Sequence, residues 1–156
     1  MVKTWGIMKV MKDQLRRIWV ARALVSAVFI ANLTAAVPFV LQPARYAAGF
    51  QMSGVPGEVF VRSLGILFLM WNTAYPPVIL APHRQRTLLG VLLTMQIIGL
   101  AGETWMVLTL PAGHAALAAS GLRFILFDTS GLIALSAAAF LVRKAAPKIG
   151  SIKEER

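Results

Sequence analysis

The sequence predicts an all-α fold: a four-helix transmembrane bundle carrying a short N-terminal interfacial amphipathic helix. Three observations carry that expectation. Apolar residues make up 58% of the 156-residue chain and charged residues only 14%, where soluble domains average about 45–50% and about 25%. Mean hydropathy is +0.70. Four apolar stretches of spanning length follow one another, and the basic residues gather between alternate stretches. The length suits one domain. The composition excludes disorder, collagen and coiled coil, and fits a water-soluble enzyme poorly. Cysteine is absent, which excludes disulfides, thiolate metal sites and cysteine nucleophiles.

Residues 1–17 form the expected interfacial segment. Trp5, Met8, Met11, Leu15 and Ile18 recur at helical spacing among Lys3, Lys9, Lys12, Arg16 and Arg17. That pattern predicts a helix from Trp5 to Arg17 lying on the membrane surface. The basic region is too long for a conventional signal peptide, and no clean cleavage signal follows it.

The bundle is expected over residues 18–142. Its spans run Ile18–Leu41, Val59–Leu80, Leu88–Leu110 and Ala115–Val142. A helix needs about 20 residues to cross the hydrocarbon core. Barrel strands would be about 10 residues with strict alternation, and none of these stretches alternates. The fourth would reach about 42 Å if fully helical, so it must tilt, extend beyond the bilayer or break. FDTSG (127–131) is the candidate break, with Asp128 capping a new turn at Thr129; a continuous tilted helix is the alternative. Pro76 and Pro77 predict a kink that frees the carbonyls of Asn72 and Thr73, and Pro38 frees that of Thr34. Neighbouring Asn and Thr side chains can answer those carbonyls, or the carbonyls can face a cation.

The connections are short except for residues 43–58, expected to form a small outer cap. Residues 143–156 form a basic tail. Gly99, Gly102, Gly121, Gly131 and the run Ser136 to Ala139 mark close helix contacts. NLTAAVPFVLQPAR (32–45) and NTAYPPVILAPHR (72–84) are similar to each other: Asn and Thr precede a proline, and Pro-x-Arg closes each copy.

The net charge of +10 is read as topology, not nucleic-acid binding. Thirteen of the 16 Lys and Arg lie in the N-terminal segment, the turn after the second span or the tail. Only Arg45, Arg62 and Arg123 fall on the other side. The positive-inside rule then predicts a multi-pass protein with both termini cytoplasmic, and the absence of eukaryotic targeting features points to a bacterial inner membrane.

A polar cluster in the outer half and middle of the bundle is the candidate site. Arg62, Glu103 and Arg123 belong to the outer half, Asp128 lies deeper, and Asn32 and Asn72 sit at mid-span. A buried ionisable group costs about 2.5–3.5 kcal/mol on insertion scales, so two cations and two anions are expected to neutralise one another. Depth matches Arg123 to Glu103, with Arg62 above and Asp128 near Asn72. Trp71, Tyr75 and Trp105 would add aromatic walls. The cluster reads first as a salt-bridge network that fixes helix register, then as a binding pocket, and last as a catalytic site. His83 and His114 lie at opposite faces and cannot share a metal. No HExxH, Walker loop or GxSxG motif is present, and no metal or cofactor is expected.

RSLGILFLMWN (62–72), the basic turn PHR (82–84) and QIIGLAGE (96–103) resemble the small four-span membrane proteins grouped as DoxX-like. The resemblance implies a four-helix bundle and transfers no site residue. The leading functional expectation is a non-catalytic membrane subunit or small-ligand-binding bundle. Its partners would be the bilayer, another membrane protein or a second copy, and a small hydrophobic or cationic ligand. The alternatives are a proton- or cation-coupled transporter built as an oligomer, and an intramembrane enzyme acting on a lipid or quinone with Glu103 as acid or base.

Overall fold

The computed structural model describes residues 2–145. It consists of α1 (Val2–Leu41), α2 (Ala44–Ala47), a 3-10 turn (Ala48–Phe50), α3 (Gly54–Asn72), α4 (Tyr75–Leu80), α5 (Arg86–Thr109) and α6 (Ala115–Lys144). The described residues contain no strand. Four helical stretches are long and apolar enough to cross a membrane: Val10–Leu41, Gly54–Leu80, Arg86–Leu108 and Ala115–Lys144. Large apolar side chains cover the outside, as at Leu108 (79% exposed) and Leu126 (71%). Such a surface suits lipid, because soluble monomers rarely expose large contiguous apolar patches. This is the form of a multi-pass membrane protein.

The separate interfacial helix is a correction. α1 runs without interruption from Val2 to Leu41, so residues before Ile18 continue the first span. The stretch Met8–Ile18 contains neither Gly nor Pro. It offers no joint at which a surface helix could turn into a crossing one, and intrahelical bonding continues through it. The tail beyond Ala145 lies outside the described residues.

α6 is also continuous over 30 residues, about 45 Å at 1.5 Å per residue. FDTSG does not break it. Ser130 Oγ donates back to the Phe127 carbonyl at 2.8 Å, and the Asp128 carboxylate accepts from another helix instead of capping its own.

The second span does break, at Thr73 and Ala74, with Pro76 and Pro77 opening α4. Neighbouring side chains bond carbonyls of the preceding turn. Asn72 Nδ2 donates to Phe68 O at 2.7 Å, and Thr73 Oγ1 to Met70 O at 2.6 Å. Pro38 leaves α1 unbroken, with Thr34 Oγ1 donating to Ala31 O at 2.7 Å.

α1 and α6 pack against each other at the centre. α3 and α4 flank α1, α5 flanks α6, and α4 reaches α5 to close the ring at one end. The inward residues of α6 are Gly121, Asp128, Gly131, Leu135, Ala138 and Val142. From Gly121 to Asp128 is seven residues, and from Asp128 to Val142 the steps of three and four average 3.5, the period of left-handed helix packing.

Two apolar layers result. One, toward the end bearing the α4–α5 turn, joins Val25, Val28, Val78, Leu92 and Leu135. The other joins Phe39 and Val61 to Tyr46, Phe50, Phe68 and Phe124 beneath the 43–58 segment. Phe39 stands 4.9 Å from Tyr46 and 6.4 Å from Phe124, ring centre to ring centre. The segment is fastened by Ser120 Oγ donating to Gly49 O (2.7 Å) and by His114 Nδ1 with Gln51 Oε1 (2.6 Å). The segment thus packs over one end of the bundle.

Candidate functional site

Between the two apolar layers each span brings polar side chains inward. Asn32 of α1 donates through Nδ2 to Asn72 Oδ1 of α3 at 3.1 Å. These are the leading residues of the two mutually similar segments, and they meet inside the bundle. Tyr75, first residue of α4 and only 3% exposed, lies beside Asn32 and within electrostatic range of Asp128. On the opposite side Gln96 of α5 donates through Nε2 to Asp128 of α6, at 2.8 Å to Oδ1 and 3.2 Å to the backbone carbonyl.

Glycines make that second pair fit. A Cβ on Gly99 would stand 2.5 Å from Asp128 Oδ2, and one on Gly131 would stand 2.8 Å from Gln96 Nε2. Each glycine holds the space that the facing helix's polar side chain fills. Gln96, Gly99 and Glu103 follow at steps of three and four, so they share one face of α5. Glu103 is half-buried and lies within electrostatic range of Asp128. Its Oε2 is buried with no hydrogen-bond partner among the described residues.

The expected cluster is thus brought together only in part. Asn32, Asn72, Tyr75, Glu103 and Asp128 face the interior. Arg62 and Arg123 do not: both are exposed, and Arg62 Nε donates to the Val40 carbonyl at 3.3 Å, near the end of α1. The unpartnered Glu103 Oε2 is not held by Arg123. The physical reason is reach. A long guanidinium stem can leave hydrocarbon or find a terminal carbonyl at less cost than full burial. Asp128 pairs with Gln96 and not with Asn72. Trp71 (51% exposed) and Trp105 (70%) face outward and do not wall the site.

Gln96 is the residue that charge-based reading missed. Among the described residues it is one of two buried polar residues, with Asn72. Its step of three to Gly99 and seven to Glu103 was the available signal. Gly102, expected at a close contact, has open space where its Cβ would be.

The Asn32–Asn72 bond carries a modest prediction. Interhelical hydrogen bonds in membranes average about 0.6 kcal/mol and reach about 1.7. Asn72 keeps its bond to Phe68 O without Asn32. Asn32→Ala is therefore expected to cost about 1 kcal/mol, read from the unfolding midpoint in mixed micelles. A loss of several times that would mean the bond organises more than one helix pair.

The described residues contain no cluster of three or more His, Cys, Asp or Glu able to hold a metal. In comparisons with known proteins, the chain matches no family model, no curated protein and no solved structure.

Proposed function

We propose that the chain is a non-catalytic membrane protein whose interior binds a proton or a small monovalent cation between Glu103 and Asp128. The supporting observation is the buried, unpartnered Oε2 of Glu103. An isolated carboxylate among lipid-facing helices is costly. Asp128 has Gln96 for a donor, whereas that oxygen of Glu103 has none. A proton or small cation supplies the missing partner for both acidic groups. The two arginines that were candidates for that role sit outside.

The size of the site favours an ion over a larger substrate. Gly99 and Gly131 bring the α5 and α6 backbones against Asp128 and Gln96. Such packing beside Asp128 suits an ion better than a lipid or quinone ring. Four spans agree with the DoxX-like resemblance. The Lys and Arg bias supports cytoplasmic termini. A second copy or another membrane subunit would pack on the outer face of α5, where Ile98 and Trp105 project.

Infrared difference spectroscopy on protein in lipid nanodiscs tests the proposal. A carboxylic-acid carbonyl band is expected at neutral pH, or a sodium- or lithium-dependent rise in melting temperature. Glu103→Gln is expected to remove either signal while leaving the fold at least as stable. If the wild-type protein shows neither signal, the proposal is wrong.

A further inference from the structure

A groove of about 290 Å³ opens on the outside of the bundle between α1 and α4, lined by Trp19, Arg22, Ala23, Ser26, Ile79 and Leu80. We propose that it binds an anionic glycerophospholipid, with the headgroup phosphate on Arg22 and the start of an acyl chain along Ala23 and Ile79.

The argument begins with the guanidinium. Arg22 lies next to buried Ala21 and reaches across to α4, where Nη2 donates to the Leu80 carbonyl. Leu80 ends α4, so its carbonyl lacks a partner within the helix. That single bond fixes the side chain between two helices. An Arg has five N–H donors, and the bond to Leu80 O engages only Nη2. The Trp19 ring stacks 4.9 Å from the guanidinium carbon, which holds the plane in place. The site is thus a fixed cation with donors to spare, beside an apolar trough.

Depth and charge select the occupant. Leu80 is the final residue of the second span, immediately before the turn that carries Arg84 and Arg86. Arg17 lies five residues before Arg22 on α1, about 7.5 Å along the helix axis. The groove therefore stands at the membrane boundary on the basic end of the bundle. At that depth the abundant anion is a lipid phosphate, and basic pockets between spans bind such headgroups. Trp at this level is also a usual interfacial anchor. The volume accepts a headgroup–glycerol segment, with the remaining chain lying in the bilayer.

Full-length protein retaining only Trp19, with Trp5, Trp71 and Trp105 changed to Phe, provides the readout. Brominated phosphatidylglycerol is expected to quench Trp19 at about fivefold lower membrane fraction than brominated phosphatidylcholine, the effect of about one well-placed cation. Arg22→Gln should abolish the preference. Ala23→Phe, which fills the trough but keeps the Arg22–Leu80 bond, should abolish it too. Arg17→Gln should leave it unchanged. Three results overturn the proposal: equal quenching by the two lipids, a preference that survives Ala23→Phe, or an equal loss in Arg17→Gln. Displacement by inorganic phosphate at constant ionic strength would also overturn it, by identifying a site for free anions.

Discussion

Gly65→Leu is expected to destabilise the bundle by about 3 kcal/mol, at the upper end of overpacking costs. A Cβ at this position would lie 2.8 Å from Phe39 Cβ and Val40 Cγ2, and 2.9 Å from the Ala36 carbonyl oxygen. The last is backbone, which no rotamer change can move. α1 and α3 would have to separate beneath the aromatic layer, where Phe39 also meets Phe68. Gly102→Leu is the matched control, because a Cβ there meets nothing within 4 Å. It should change stability by no more than about 0.5 kcal/mol. Unfolding midpoints of the two variants in the same mixed micelle decide the matter. Equal losses would mean that the penalty does not arise from the α1–α3 approach.

Gln96→Leu is expected to cost about 3 kcal/mol, because it strips Asp128 of its side-chain donor inside the bundle. Asp128→Leu should cost only about 1 kcal/mol, because Gln96 Nε2 loses the carboxylate but keeps the backbone carbonyl of residue 128 as acceptor. The double variant replaces both partners with apolar groups and should be more stable than Gln96→Leu alone. A double-mutant cycle measures this directly. Strict additivity would show that the 2.8 Å contact between Gln96 and Asp128 does not couple the helices energetically.

The spans were legible because hydropathy depends on sums over about twenty residues, which neighbouring packing cannot reverse. The arrangement of the polar groups was harder to read. Pairing by charge sign matched Arg123 to Glu103, but the molecule pairs neutral amides with one another and with a carboxylate. Matching positive to negative groups gave Gln96 no role, so it was passed over while Asp128 was not. Periodicity would have placed both, since Gln96 shares a helix face with Gly99 and Glu103. The tryptophans misled for a related reason. Their rings suit a pocket and a lipid surface equally well, and composition alone does not choose between them. At the N-terminus, amphipathic spacing fits a surface helix and an extended first span alike; the absence of a breaking residue was the better guide.

The unbroken course of α1 has a mechanical consequence. Forty residues make a rod about 60 Å long, against a hydrocarbon thickness of about 30 Å. Nothing between Met8 and Asn32 provides a Gly or Pro at which it can flex. A tilt or torque applied at Lys12 is therefore delivered about 30 Å away to Asn32. The rod acts as a lever between its own first turns and the Asn32–Asn72 contact, with the flanking helices as its fulcrum.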